Sequence, residues 1–393
     1  MIDPEVRIGG NLMAQLTRAE VLRYSRHLMM PEVGMRGQEK LKAASVLIVG
    51  AGGLGSPIAM YLAAAGVGRI GLVDFDVVEL SNLQRQIIHG DSRIGELKVT
   101  SAGERLKDIN PYISIEEFPF YVSADNIMEI GANYDIIVDG SDNFATRYLL
   151  NDYCVFEKKP YIYGSIYRFE GQVAVFNAQE GPCYRCIFPE PPPPGMIPTC
   201  GEGGVFGVLP GTIGTMQATE VIKIILGIGT ESSGNLFLYD ALDLSLQKIQ
   251  LRKNINCMIC GEKPTINTLE DTAVFCGLHE EKLGSTSKEK QIYPKELKEL
   301  LESKVDIKLI DVRDPAELAI VQIPGSENIP YEKIIANQVT FNPQDEMVFI
   351  CRNGVRSQRI VNKLLAEGFE KVFNLKGGTN AWVEKIDPRQ YQY

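Results

Sequence analysis

Histidine is scarce in this chain of 393 residues, which holds three, His27, His89 and His279, and a single tryptophan. Long apolar runs are missing as well. No stretch reaches the ~18 residues that a membrane span needs, so no membrane partner is expected. The opening segment, MIDPEVRIGGNLMAQL, lacks a basic region followed by an apolar one and does not read as a secretion signal; a cytoplasmic location is expected. Positive charge is in deficit, with 40 Lys and Arg against 50 Asp and Glu, a net charge of -10. Loose binding to nucleic acid or to an anionic membrane is disfavoured by that balance, and any nucleotide site has to be locally basic. Internal repeats are absent too.

What is present is an ordinary globular composition, 45% hydrophobic and 23% charged. The length exceeds the ~250 to 300 residues at which one core stops growing, so two domains are expected. Through residue 261 short apolar runs alternate with helical patterns: SVLIVG, LGSPIAMYLAAAG, RIGLVD and later YDIIVDG. This alternation predicts a doubly wound, mostly parallel α/β sheet. A Pro/Gly-rich stretch between Phe188 and Gly207 reads as a functional loop, since it cannot form a helix interior. Residues 262–290 lose periodicity and read as a flexible linker. Residues 291–393 begin again with KLIDV and MVFIC, each followed by a helical pattern, and predict a small α/β domain.

Gly50-Ala51-Gly52-Gly53-Leu54-Gly55 follows the strand SVLIV and opens a helix, the arrangement in which backbone N–H groups and a helix dipole face a phosphate chain. Asp74 closes the next strand, where a carboxylate meets a ribose hydroxyl. The default ligand for such a fingerprint is NAD. Arg85 and Lys98 argue instead for phosphoryl or adenylyl transfer, and Asp139 and Asp142 follow YDIIV where carboxylates can hold Mg²⁺. Asp139 has the competing reading of a helix cap.

The chain resembles the ubiquitin-activating superfamily, in the branch of the molybdopterin-synthase and thiamin sulfur-carrier adenylyltransferases. The resemblance rests on Arg23-Tyr24-Ser25-Arg26, GAGGLGSP, DFDVVELSNLQRQ, Lys98 and DGSDN and covers almost the whole first region. It implies a Rossmann-like fold and ATP with Mg²⁺ as cofactors. The nucleotide would sit on Gly50, Gly52, Gly53 and Gly55, with Asp74 on the ribose, Asn82, Arg85 and Lys98 on the phosphates, and Asp76 and Gln86 among its other contacts. Asp142 would hold Mg²⁺, and Arg26 would enter the partner's site in a homodimer. The implied substrate is the C-terminal carboxylate of a small ubiquitin-like sulfur carrier ending in Gly-Gly. Neutralising the anions that meet there needs cations and amides rather than a proton-transfer residue, in keeping with three histidines expected to be structural.

Cys183-x-x-Cys186 and Cys257-x-x-Cys260 form a pair of pairs that suits a closed tetrahedral Zn²⁺ site, with a redox C-x-x-C as the alternative. Cys154, in RYLLNDYCVF, reads as a core residue, and Cys276 has no assigned role. Cys200 sits in the Pro/Gly-rich loop. The resemblance implies a thiol there that attacks the acyl-adenylate or joins a sulfur relay.

In the last region the strand MVFI delivers Cys351-Arg352-Asn353-Gly354-Val355-Arg356-Ser357 to a helix. Loop amides, the helix N-terminus and the arginines Arg352 and Arg356 would favour a thiolate and its persulfide. This region resembles the rhodanese family through Leu309-Ile310-Asp311-Val312-Arg313, IPGSENIP, CRNGVRS and GGTNAW. Gln322 stands where that family often has histidine. Four residues separate Cys351 from Arg356, a shorter loop than the phosphatase relatives use. A persulfide donor such as a cysteine desulfurase is implied as a partner. Joined, the halves predict an enzyme that adenylates a carrier and converts it to a thiocarboxylate with sulfur from Cys351. The rival readings are an NAD-dependent oxidoreductase, a non-catalytic scaffold, which would be expected to lack Arg85, Lys98 or Asp142, and a tRNA-modifying relative.

Overall fold

The computed structural model describes residues 15–192, 204–229, 233–271, 290–303 and 307–392. The chain divides into two compact units, Met1–His279 and Glu280–Tyr393.

In the first unit the apolar runs become parallel strands: β1 (Ser45–Val49), β2 (Arg69–Val73), β3 (Ser114–Phe118), β4 (Ile136–Asp139) and β5 (Tyr161–Tyr167). β1 and β4 are buried on both faces, as continuous apolar strands must be when helices cover both sides of a sheet. An antiparallel meander completes the sheet with β6 (Glu170–Phe176), β7 (Asn235–Asp240) and β8 (Ser245–Gln250), giving the order β3-β2-β1-β4-β5-β6-β7-β8. The sheet is thus doubly wound and mostly parallel where the glycine fingerprint lies. The meander is an addition to the sequence reading, and its first hairpin turns on Arg168 at φ 52° without a glycine to mark it.

Helix α1 (Gly55–Ala65) is apolar nearly all round. It packs with the long α4 (Leu209–Leu226) on one face of the sheet, where Ile48, Ile58, Leu62, Ile70 and Ile213 are fully buried. Helix α2 (Lys98–Ile109) follows β2 and closes the same layer. On the other face α3 (Phe144–Phe156) lays Tyr148, Leu149, Leu150 and Tyr153 against Leu47, Ile137, Tyr161 and Tyr163. Cys154 is 4% exposed in this layer, and burial pushes its thiol well up, the state of a core cysteine. Residues 262–271 run along the first unit. Ile266 packs on the four-cysteine cluster and Asp271 accepts a hydrogen bond from the Ala124 N–H at 2.9 Å.

The second unit is a five-stranded, all-parallel sheet of β9 (Gln291–Ile292), β10 (Lys308–Asp311), β11 (Ser326–Asn328), β12 (Met347–Ile350) and β13 (Val372–Leu375), in the order β11-β10-β12-β13-β9. Helix α5 (Val355–Ala366) covers one face through Ile360, Val361 and Leu364. Helix α6 (Gly378–Lys385) covers the other through Trp382. A fully buried pair, Asp311 and Arg313, fixes the end of β10 by a two-pronged ion pair whose second nitrogen also donates to Val321 O at 2.7 Å.

Candidate functional site

The glycine fingerprint occupies the turn between β1 and α1, at the C-terminal edge of the sheet. Gly50 has φ 100°, and a Cβ built there would meet the Gly140 backbone at 2.7 Å. Gly55 tolerates even less, since its Cβ would lie 1.9 Å from Gly50 O. Two loops are therefore pressed together here, the one after β1 and the one after β4 that leads to Asp142. Only residues without side chains allow that approach.

Around this turn most of the expected nucleotide residues assemble. Asp74 accepts from Ala51 N at 2.8 Å and from Asp76 N at 2.9 Å, so it shapes the glycine turn; burial raises its carboxyl above the usual value, and Lys98 opposes that rise. Lys98 is the first residue of α2 and is buried, with its Nζ 2.8 Å from the half-exposed Asp76. A cation at a helix N-terminus is electrostatically misplaced and is better satisfied by an anion. Asn82 is buried and uses Oδ1 to accept from Glu79 N at 3.2 Å, holding the turn that carries Arg85. Arg85 donates to Ser81 O at 3.0 Å, and its Cγ lies 3.7 Å from where a Gly53 Cβ would be. Gln86 is buried beside Gly52 with its Oε1 lacking any partner, as expected where a bound group would complete it. A glycine cradle and a buried lysine fit a nucleotide's phosphates, and the orphaned amide oxygen, an acceptor, fits a hydroxyl or amino group of its ribose or base. Asp142 stands exposed just before α3, whereas Arg26 lies on the exposed helix Ser25–Leu28 and touches none of this cluster among the described residues.

One expectation changes here and another gains detail. Asp139 is fully buried, and its oxygens accept from Ser141 N, Ser141 Oγ and Tyr161 OH at 2.6 to 2.8 Å. Burial pushes its carboxyl up, and it serves as an internal strut, not as a metal ligand. His89 is structural, as expected, but in a specific way: its ring bridges Ala51 O at 3.0 Å and Ser101 Oγ at 2.9 Å, tying the glycine turn to α2. His27 bonds Gln38 at 3.1 Å, and His279 lies outside the described residues.

Sequence reasoning missed one side chain at this edge. Arg147, one turn into α3, is 6% exposed, with its guanidinium carbon 5.0 Å from the Phe144 ring centroid and 5.6 Å from that of Tyr163. Its Nε has no partner, and no hydrogen bond or ion pair joins the guanidinium to any described residue. An unpaired buried cation costs several kcal/mol, and two cation–π contacts return about 0.5 to 2 kcal/mol each. An arginine in the apolar run FATRYLLNDYCVF was the available signal.

The four cysteines converge. Cys183 caps the short helix Tyr184–Ile187, and Cys257 and Cys260 lie on the turn after β8. All four Sγ atoms lie within 4.8 Å of one another, and the closer pairs are 3.4 to 3.9 Å apart. A tetrahedral ion with metal–sulfur bonds of about 2.3 Å sets its thiolates ~3.8 Å apart, so the group fits Zn²⁺ and lies too wide for disulfides. Asn254 N–H donates to Cys186 Sγ at 3.4 Å, the kind of contact that steadies a thiolate ligand. Cys200 and Cys276 lie outside the described residues.

In the second unit Cys351 directly follows β12 and is fully buried. Its sulfur receives Gly354 N at 3.2 Å, Ser357 N at 3.5 Å and Ser357 Oγ at 3.2 Å. Two backbone N–H groups and the Ser357 hydroxyl, whose single proton is shared between this sulfur and Asn374 Oδ1, surround it from one loop and the first turn of α5. Arg356, expected to add positive charge near the sulfur, forms a two-pronged ion pair with Glu317 at 2.8 and 3.0 Å. The Ser357 hydroxyl also lies 2.7 Å from Asn374 Oδ1.

Fold and sites together define a two-unit α/β protein. One unit is a doubly wound sheet with a glycine cradle and a four-cysteine centre, and the other is a small parallel domain built around a single cysteine loop. The ThiF family model matches residues 24–259 and the rhodanese-like domain model residues 293–385. The chain belongs to the ThiF family and carries a rhodanese-like domain after it. It is 45% identical over 384 residues to a Mycobacterium tuberculosis protein named probable adenylyltransferase/sulfurtransferase MoeZ, covering 96% of both chains. It is 43% identical to the Culex quinquefasciatus adenylyltransferase and sulfurtransferase MOCS3, over 96% of this chain and 90% of the relative. A Thermus thermophilus sulfur carrier protein adenylyltransferase is 51% identical over 267 residues, 67% of this chain and 98% of that one. Among solved structures, E. coli MccB with ATP superposes with a TM-score of 0.53 at 24% identity, over 61% of this chain and 73% of that one, a likeness of fold.

Proposed function

We propose that this protein uses ATP to adenylate the C-terminal glycine of a small ubiquitin-like sulfur carrier and then converts it to a thiocarboxylate with sulfur carried on Cys351. The observation that carries the reading is that one chain holds both a glycine turn that no side chain fills, with Lys98 and Arg85 beside it, and a buried cysteine whose sulfur meets Gly354 N, Ser357 N and Ser357 Oγ. Relatives of nearly full length are named for both activities. In this reading residues 1–261 are the adenylyltransferase, 262–290 the linker and 291–393 the sulfurtransferase.

The first step needs charge neutralisation and alignment, not proton transfer. Arg85 and Lys98 face the phosphates, backbone N–H groups of the glycine turn line them, Asp74 takes the ribose, and Asp142 holds Mg²⁺. Arg26 of a second copy completes the phosphate side, which makes the working form a homodimer. Attack of the carrier carboxylate on the α-phosphate releases pyrophosphate. The terminal sulfur of the Cys351 persulfide, loaded by a donor such as a cysteine desulfurase, then attacks the acyl carbon and displaces AMP. A second thiol, Cys200 in this reading, attacks Cys351 sulfur, forms a disulfide and releases the thiocarboxylate. Reduction by an external thiol resets the pair. The four-cysteine centre holds Zn²⁺ and stabilises the first unit.

The testing experiment is carrier-dependent ATP–pyrophosphate exchange with several carriers ending in Gly-Gly, alongside copies lacking the last glycine. Exchange with an intact carrier and none with its truncated copy is the expected result. No exchange with any carrier overturns the reading.

A further inference from the structure

Arg147 is unlike every other arginine near the glycine turn. Arg85 is half-buried and donates to Ser81 O, while Arg147 is 6% exposed and bonded to nothing among the described residues. The acid nearest in its field, Asp139, is occupied by Ser141 and Tyr161 and forms no ion pair with it. A guanidinium buried in this state has no anion among the described residues, and its planar fork is shaped for a carboxylate.

Its position says which anion. Arg147 lies four residues after Asn143, the N-cap of α3, and five after Asp142, about one helical turn along the axis. Helical side chains lean toward the N-terminus of their helix, and the contact with Phe144, three residues back, shows this one doing so. The guanidinium therefore leans toward the edge where the β4 loop presses on the glycine turn. Phe144 and Tyr163 flank it and hold its plane with apolar surface, a setting suited to a thin, glycine-ended tail more than to a hydrated phosphate.

We propose that Arg147 receives the C-terminal carboxylate of the carrier tail and holds it at the sheet edge for attack on ATP. The inference rests on the adenylation reading given above. Arg147 binds the carrier whether or not ATP is present, and it releases its charge pairing as the carboxylate becomes a neutral acyl group, so the bond favours the acid over the product side of the tail.

The test uses the full-length protein and a carrier that supports exchange with it, prepared both as the Gly-Gly acid and as the C-terminal carboxamide. Binding is measured without ATP. The expected result is that the unaltered protein binds the acid about tenfold or more tightly than the amide. Arg147→Met is expected to bind both forms equally, at the amide's affinity, with ATP binding unchanged. Equal binding of acid and amide by the unaltered protein, or a retained preference in Arg147→Met, overturns the assignment. Should Arg147→Met fail to fold, Arg147→Lys decides through exchange kinetics: a carrier KM raised about tenfold at unchanged KM for ATP supports the role. An unchanged carrier KM overturns it. If no carrier supports exchange with the unaltered protein, the adenylation reading itself has failed, a result distinct from exchange that proceeds without discrimination.

Discussion

The two units solve the problem of holding a reactive group in opposite ways. In the second unit one loop of seven residues, Cys351 to Ser357, supplies both the nucleophile and the donors that surround it. The first unit gathers its site from positions as far apart as Gly50 and Arg147, and it leaves Gln86 Oε1 and Arg147 Nε unpartnered. A covalent sulfur carrier works from a self-contained cradle, because its cargo is a single atom attached to the protein. A site for two large anionic substrates must keep groups unsatisfied until those substrates arrive. The same contrast appears in the arginines: Arg356 is answered by Glu317, and Arg147 is answered by nothing among the described residues.

If the units divide the work in this way, each can be silenced alone. Cys351→Ala should eliminate thiocarboxylate formation while leaving carrier-dependent ATP–pyrophosphate exchange at its original rate. Asp142→Ala should lower exchange by about two to three orders of magnitude, the usual cost of losing a key transition-state contact, and thiocarboxylate formation, which consumes the adenylate, should fall with it. Thiosulfate:cyanide sulfur transfer by the second unit should then be untouched. Loss of both exchange and thiosulfate:cyanide transfer in either variant would erase the distinction between the units. A smaller asymmetry concerns the metal. Cys257→Ser should reduce bound zinc from one ion per chain to none by elemental analysis. The first unit's thermal midpoint should fall by roughly 10 °C, as loss of a few kcal/mol does in a unit of this size, with the midpoint of the second unplaced by the change. Smaller again is Ser357→Ala. It removes one of three donors to Cys351 sulfur, and a hydrogen bond to a charged group is worth about 1.5 to 3 kcal/mol, so sulfur transfer should slow about tenfold or more in single-turnover measurements.

Legibility in the sequence follows the same division. A local cradle is written in consecutive residues, so CRNGVRS located Cys351 directly. What it did not announce is the ion-pair partner of Arg356, since Glu317 lies 39 positions away with no local pattern to mark it. The parallel half of the first sheet was equally readable, since SVLIV, RIGLV and IIVD are continuous apolar runs that parallel burial requires. The meander from β5 to β8 was not. Its outer strand Ser245–Gln250 is largely exposed and polar, and the turn at Arg168 carries no glycine signal. The four cysteines were found by spacing alone, because thiolate geometry ties C-x-x-C pairs together whatever fold lies between. Arg147 went unread for the converse reason. Whether a buried arginine is paired depends on neighbours that only the folded chain assembles.

The weakest expected effect bears on how the dispersed site is held before substrate binds. His89 is buried between Ala51 O and Ser101 Oγ, and burial lowers its pKa below the usual 6.5. The sign follows from linkage. In the unfolded chain this imidazole takes up a proton as pH drops through about 6.5, whereas in the folded chain it resists until a lower pH, so acid favours unfolding. The stabilisation is complete above the unfolded value and is lost as pH falls toward the folded one. The urea midpoint of the first unit should therefore decline as the pH falls through about 6.5 and below. His89→Gln keeps a donor and an acceptor but cannot be protonated, so its decline over that window should be shallower. The second unit, which has no histidine among its residues, should show no difference between the two proteins. An identical slope in both would mean that the tie between the glycine turn and α2 does not depend on a neutral imidazole. The first unit would then hold these loops in place by packing.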